Sequence, residues 1–331
     1  MKILVIFTGG TIGSTLSGEF ISPDADKPYR LIELYKKKTD SRILMDTIEP
    51  YTILSENADC VTYEKLYECV KENLNKDYDG IIITHGSDTL QYTAAMLNYV
   101  LGNDTIPIML VASNYVLEDG RSNGLDNFTH AVDFIENHYG RGVFVPYVNA
   151  GEECAVHRGN RLMPHLPYSD LLYSIDNEPY GRYDKDRFIY NDTISIPDGD
   201  EDIYEFPKNV NEKSGILSLH VCPGMIFPEI PDGTKAILLT SYHSGTLCTA
   251  SEDFKAFMEK AVKNKIPVFL TGAVPGPDYE SCSVYDSLGI KVLPKISPVA
   301  AYIRLWLETH TEKPFGMEKP VAGDYSSSQR V

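Results

Sequence analysis

Two segments place glycine and small hydroxyl residues directly after an apolar run. They are Thr8-Gly9-Gly10-Thr11-Ile12-Gly13-Ser14 and His85-Gly86-Ser87-Asp88-Thr89. Between them they offer the hydroxyls of Thr11, Ser87 and Thr89 and the carboxylate of Asp88. A hydroxyl attacks a carbonyl carbon only when a base takes its proton, so hydroxyls beside a carboxylate are equipment for acyl transfer. The first segment lacks the Lys-Ser/Thr of a P-loop and the G-x-G-x-x-G spacing of a dinucleotide site. A single glycine turn of this kind is as often structural; two of them are a stronger signal. Asp88 also has a plain reading, as the N-cap of the helix that follows, a role worth roughly 0.5–2 kcal/mol over alanine. Ser87 or Thr89 would serve equally well there.

Both loops need strands to hold them. Lys2-Ile3-Leu4-Val5-Ile6-Phe7 and Gly80-Ile81-Ile82-Ile83-Thr84 read as buried strands, and loops leaving such strands lie at the carboxyl edge of an α/β sheet, where ligands bind. Leu90, Ala94, Leu97 and Leu101 then recur at helical spacing until Gly102-Asn103. A strand over 106–111, a helix around Phe128 to Ile135 and a strand over 142–145 continue the alternation, which predicts an α/β fold with a doubly wound sheet. From about Leu166 to Lys213, Tyr, Asp, Glu and Pro dominate and the periodicity fades. Alternation resumes with strands over 215–219, 236–240 and 267–271, a helix carrying Phe254 to Ala261, and a last helix carrying Val299 to Trp306. The boundary is placed near residue 210, giving units 1–210 and 211–331. The Pro, Gly and Ser-containing tail after His310 is expected to be loosely attached.

The chain has 331 residues, long enough for two domains, since single cores seldom grow past roughly 250–300 residues. A net charge of −17 argues against nucleic acid as partner, because affinity for phosphates comes mostly from Lys and Arg. The first apolar run is too short for a signal-peptide core, and no run approaches the ~20 residues of a membrane span. Six scattered cysteines without a C-x-x-C pair read as reduced thiols, so a cytoplasmic location without membrane contact is expected. His220-Val221-Cys222 and His243 with Cys248 make no complete ligand set, so no metal is expected.

With these residues in view, the chain resembles the bacterial L-asparaginase family, closer to its type I, cytoplasmic branch. The paired segments Thr8–Gly13 and Thr84–Thr89 carry the likeness. Gly120–Asn127, His157-Arg158-Gly159-Asn160-Arg161 and Ser241-Tyr242-His243-Ser244-Gly245 extend it over residues 1–310. The resemblance implies two doubly wound domains, a larger N-terminal parallel-rich sheet and a smaller C-terminal parallel sheet. It implies a catalytic set of Thr11, Ser87 and Asp88, with Thr11 attacking the side-chain amide of asparagine or a related small amide. Ser87 and Asp88 would move protons, and Asp88 would also bind the substrate's amino group. Asn57, Ala58 and Asp59 would line the substrate site with Ser87 and Asp88. No cofactor is implied, and the assembly would be a homodimer or homotetramer.

The chain departs from that pattern in several places. Ser87 stands where the family has threonine, and Pro164, followed by His165, stands where it has a catalytic lysine. Ala58 falls at the serine that receives the substrate carboxylate. Phe20 falls at the lid tyrosine, although Tyr29 could supply a hydroxyl from farther along, and Thr246 falls near an asparagine lent by the neighbouring subunit. His165 itself reads as a solvated loop residue or, less simply, as a replacement base for the missing lysine that nothing in the sequence orients, and His85 as a brace for its loop. Two other functions remain open at this level: a sensor that holds an amino-acid amide without turning it over, and a component supplying ammonia within an amidotransferase.

Overall fold

The computed structural model describes residues 1–17, 20–23, 27–194, 203–273 and 279–326, with backbone alone between 13 and 28. The first sheet contains β1 (Lys2–Phe7), β4 (Leu44–Ile48), β5 (Gly80–Thr84), β6 (Pro107–Val111), β7 (Gly142–Tyr147), β8 (Ala155–Arg158), β9 (Gly181–Asp184) and β10 (Arg187–Tyr190). Its order is β10-β9-β8-β7-β6-β5-β1-β4. β4, β1, β5, β6 and β7 are parallel, and β8, β9 and β10 continue antiparallel. A separate hairpin, β2 (Ser14–Ser17) with β3 (Phe20–Pro23), follows the first loop. The helices here are α1 (Lys27–Thr39), α2 (Cys60–Leu74), α3 (Leu90–Leu101) and α4 (Gly124–Glu136).

Strand period explains the layers. Leu4, Ile6, Ile81 and Ile83 point to one face, where they meet α2 and α3; Ile3, Val5, Phe7 and Ile82 point to the other, toward α1 and α4. Covering both faces is what makes β5 a continuous apolar run with every residue buried. In chain order the five parallel strands stand 2-1-3-4-5. The order therefore reverses between β1 and β5, and sheets of this type bind ligands at that reversal.

The second sheet is wholly parallel, in the order β11 (Ile216–His220), β12 (Ala236–Thr240), β13 (Val268–Thr271), β14 (Ile290–Val292). α5 (Glu252–Lys263) buries Phe254, Phe257 and Met258 on one of its faces. α6 (Pro298–His310) covers the other and joins it to the first unit, since Val299, Ile303 and Trp306 share one apolar cluster with α3 and with Leu238 and Phe269.

Two stretches read from the sequence take shape here. The stretch in which the sequence periodicity fades contains the β9–β10 hairpin, whose Tyr183 and Phe188 face the core beside Phe134. The tail expected to be loose is clamped as far as residue 326. Asp324 and Arg304, both fully buried, pair at 2.7 Å, and Tyr99 of α3 donates to the same carboxylate at 2.8 Å. Arg161 donates to the carbonyls of Gly323 and Tyr325, and Asn160 to that of Ala322. A buried ion pair held in such a hydrogen-bond network fixes a segment that composition alone marks as mobile.

Candidate active site at the strand-order reversal

Three loops leave the carboxyl ends of β4, β1 and β5, and their backbones are knitted together. Beyond β1, Gly9 and Gly10 adopt φ of 103° and 78°. The Gly10 N–H donates to the Ile53 carbonyl at 3.2 Å, and the Ile53 N–H donates to the Thr8 carbonyl at 3.1 Å. Thr8 Oγ1 donates to the Thr84 carbonyl at 2.6 Å, tying the first loop to the end of β5. Thr89 Oγ1 donates to the Ser55 carbonyl at 2.9 Å, tying the third loop to the second.

The glycines are required by this contact. A Cβ on Gly10 would lie 2.4 Å from the Gly86 nitrogen, and one on Gly86 would lie 2.4 Å from Ser55 Oγ. Any other side chain in either position would push the two loops apart.

His85 stiffens the third loop from below. It is buried, its Nδ1 lies 2.9 Å from the Gly86 carbonyl and its Nε2 lies 2.9 Å from Thr93 Oγ1. A carbonyl only accepts, so the proton sits on Nδ1 and Nε2 accepts from Thr93. Burial lowers its pKa and keeps the ring neutral. It is the brace that the sequence suggests.

Scaffold residues and the candidate site residues separate by exposure. Thr8, Ser55, Thr84 and His85 are buried; Thr11, Ser87 and Thr89 are half-buried, and Asp88 and Asn57 are exposed. Thr11 opens a short 3-10 turn directly after Gly10. Asp88 does not cap α3: the N-cap is Thr89, which makes no side-chain cap bond because its hydroxyl is turned to Ser55. Asp88, one residue before the cap, is exposed to solvent.

The second loop carries the other expected site residues. Ala58 is half-buried and its N–H donates to the Ser55 carbonyl. Asp59 is the N-cap of α2: its Oδ1 accepts from the Thr62 N–H and Oγ1, both at 2.8 Å, and Thr62 answers with a reciprocal bond. At least one oxygen of Asp59 is therefore committed to the helix. Ser55 and Ile53, which no sequence motif marks, are the residues that bring this loop to the other two. Their signal was only their place after a strand whose parallel partner is β1.

Several more distant expectations are resolved. His165 is half-buried rather than solvated; its ring meets Tyr147 edge-on at 6.0 Å and its Nε2 is enclosed without a partner. Asn127, in the third segment of the resemblance, donates to the Ala112 carbonyl and accepts from the Val148 N–H, so it braces the β6–α4 connection. Thr246 sits in the turn after β12, where the Tyr242 N–H donates to its carbonyl. The side chain of Phe20 lies outside the described side chains. Among the described residues no group of three or more His, Cys, Asp or Glu is placed to hold a metal ion. No helix among them is long and apolar enough to cross a membrane.

Comparison with known proteins adds the family. Residues 2–194 match the family model described as Asparaginase, N-terminal. L-asparaginase of Thermococcus kodakarensis is 25% identical over 287 residues, covering 83% of this chain and 81% of that protein. A glutamyl-tRNA(Gln) amidotransferase subunit of Methanosarcina mazei is 27% identical over 278 residues, 82% of this chain. The match spans 64% of that longer relative, less than two thirds of its length. Among solved structures, the thermostable L-asparaginase from Thermococcus kodakarensis superposes with a TM-score of 0.77 at 22% identity, over 99% of this chain and 100% of that one. L-asparaginase I from Vibrio cholerae gives 0.78 at 20% identity, over 98% and 99%.

Proposed function

The chain belongs to the asparaginase family, and we propose that it is an amidohydrolase that releases ammonia from the side-chain amide of an asparagine derivative whose α-carboxyl is masked. The observation that carries this reading is the charge of the three loops. Residues 8–14, 51–59 and 85–89 contain Glu56, Asp59 and Asp88 but no Lys or Arg. Such a mouth attracts a free ammonium and repels a free carboxylate. Ala58, at the position the resemblance gives to a carboxylate-binding serine, points the same way.

In this reading Thr11 Oγ attacks the amide carbon while Ser87 relays the hydroxyl proton to the Asp88 carboxylate. The amide nitrogen leaves as ammonia, with that proton returned to it, and the acyl group stays esterified to Thr11. Water then cleaves the ester to a carboxylate and frees the threonine. Asp88 holds the substrate's amino group through a charge-assisted hydrogen bond, roughly twice as strong as a neutral one. Backbone N–H groups of the glycine turns stabilise the oxyanion.

Residues 1–210 and 211–331 form the two units, with α6 and the tail as the clasp between them. The second unit meets a partner copy in a homodimer or homotetramer. Six free cysteines fit a reducing cytoplasm. The test is ammonia release by the purified chain from asparagine, glutamine and carboxyl-blocked asparagine. Preference for free asparagine with kcat/KM above about 10⁴ M⁻¹s⁻¹ refutes the masked-carboxyl substrate.

A second reading has its own support in the glutamyl-tRNA(Gln) amidotransferase relatives. In it the same hydrolysis supplies ammonia to a partner enzyme. Full ammonia release by the chain alone, without a partner, counts against it. Binding without release points instead to a sensor.

A further inference from the structure

Beside the three loops lies a second feature, a groove of about 860 Å³ between the two units. Its size falls in the ~300–1,000 Å³ range of small-molecule sites. One wall begins with Thr89, the residue after Asp88, and continues with Tyr92 of α3; another holds Tyr63, on α2 just past Ala58. Met163, Pro164 and Leu166 form the rim where the resemblance would place a lysine, and the far side is the β11–β12 face with Tyr302 of α6. Among the described residues lining it there is no Asp, Glu, Lys or Arg, and His220 is the sole histidine.

We propose that this groove binds a neutral aromatic or branched apolar group attached to the substrate's α-carboxyl, so that the substrate class is asparagine linked through that carboxyl to an apolar amine. The inference rests on the amidohydrolase reading and sharpens it. The argument is one of charge and position. A free carboxylate entering a wall of tyrosine, leucine, methionine and proline loses its hydration with no cation in return. An apolar group is driven there by the removal of its surface from water. Tyrosine rings also offer flat faces for edge-on or offset packing against an aromatic guest. Tyr92 and Tyr302 already meet edge to face at 5.9 Å, leaving a preformed aromatic corner.

Charge selects the carboxyl end of the substrate, because the amino end stays a free ammonium held by Asp88 and a substituent reaching the groove is then carried by the carboxyl. Ala58 and Asp88 mark where the carboxyl and amino ends are expected, and the helices that their loops enter line the groove through Tyr63 of α2 and Tyr92 of α3, with Thr89 beside them. The hydrogen bond from Thr89 to Ser55 closes the short gap between those helix starts. The hydrolysed bond stays at Thr11: water is consumed, ammonia leaves the side chain, and the masked carboxyl is untouched.

The test compares asparagine, asparagine methyl ester and asparaginyl-β-naphthylamide as substrates of the full chain, with ammonia as readout. The naphthylamide is expected to exceed the methyl ester in kcat/KM by about tenfold or more, the scale on which apolar pockets discriminate. Ser218→Phe, at an exposed position on β11 that lines the groove, should raise KM for the naphthylamide severalfold and leave the methyl ester unchanged. Leu166→Asp, at a rim residue 65% exposed, should do the same without threatening the fold. Equal kcat/KM for ester and naphthylamide overturns the groove assignment while the amidohydrolase reading stands. A changed sedimentation coefficient in Ser218→Phe with both KM values unmoved also overturns it, because the groove is then covered by a second copy. Absence of ammonia from all three substrates overturns both.

Discussion

Thr11 and Asp88 carry separable parts of the proposed chemistry, and substitution should separate them. Thr11→Ala removes one half-buried hydroxyl from a loop held by backbone bonds. Ammonia release should fall by at least about a thousandfold with the thermal midpoint unmoved; wild-type release from this variant removes Thr11 as the nucleophile. Asp88 makes no cap bond to α3, so Asp88→Ala should leave stability unchanged. It should raise KM about ten- to a hundredfold, the cost of a lost hydrogen bond to a charged group, and lower kcat as well, because the Thr11 proton loses its acceptor. A variant with unchanged kinetics would leave the carboxylate without a role. His157 yields a pH prediction. It is fully buried on β8, its Nδ1 2.8 Å from Ser174 Oγ, and burial, aided by Arg182, pushes its pKa down to about 3. Its unfolded value is about 6.5, so between these limits the unfolded chain binds more protons. The associated stability is complete above about pH 6.5 and drains as the pH falls toward 3, by up to about 1.4 kcal/mol per pH unit. Thermal midpoints from pH 7 to 5 should therefore fall in the wild type and fall less in His157→Gln; parallel curves reject the assignment.

At the scale of elements, the site depends on strand ends meeting closely enough for glycine backbones to touch. Gly10→Ala must both adopt a positive φ and displace Gly86, whose nitrogen would lie 2.4 Å from the new Cβ. It should cost more than about 1 kcal/mol of stability and lower kcat, because the Thr11 and Ser87 loops no longer meet. Unchanged activity would mean that the loops need not be in register. Asp59 allows a helix cap to be told from a ligand. Asp59→Ala should cost about 1 kcal/mol through the lost cap of α2, whereas a direct substrate contact would show as a KM change larger than that of Asp59→Asn. The capping geometry favours the first result.

For the whole molecule, the C-terminal clasp is the feature with the largest energetic stake. Asp324→Ala leaves Arg304 buried and unpaired, a loss of about 3–5 kcal/mol for removing one partner of such a pair. Chemical denaturation should register that loss, and a midpoint within error of the wild type would show that the clasp is dispensable. The same pair joins α6, α3 and the tail, so the variant should also loosen the wall of the interunit groove. Assembly is a further prediction at this scale. Closed two-fold symmetry is the commonest solution for homo-oligomers, and sedimentation at micromolar protein should give a dimer or larger. A fully active monomer would contradict a site completed by a neighbouring copy.

The sequence by itself determined the strands β1 and β5, the glycine loops that leave them and the hydroxyls those loops carry. Each of these is written within a few consecutive residues: a continuous apolar run means a strand covered on both faces, and glycine between small hydroxyl residues means a tight turn. The helix over 90–101 and the strand over 236–240 were legible for the same reason. What only the tertiary structure decided are contacts between residues far apart in the chain. Ser55 and Ile53 are ordinary in sequence, and they belong to the site because β4 pairs with β1 and returns its loop beside Gly10. Asp88 could have capped its helix; α3 instead starts after Thr89, which stands at the N-cap with its hydroxyl bonded to Ser55, 34 residues away. The tail looked loose because its composition is that of a linker, while its anchor is Arg304, a charge whose burial no local pattern announces. Local composition fixes backbone shape, but the partner of a buried polar group is chosen by the packing of the whole chain.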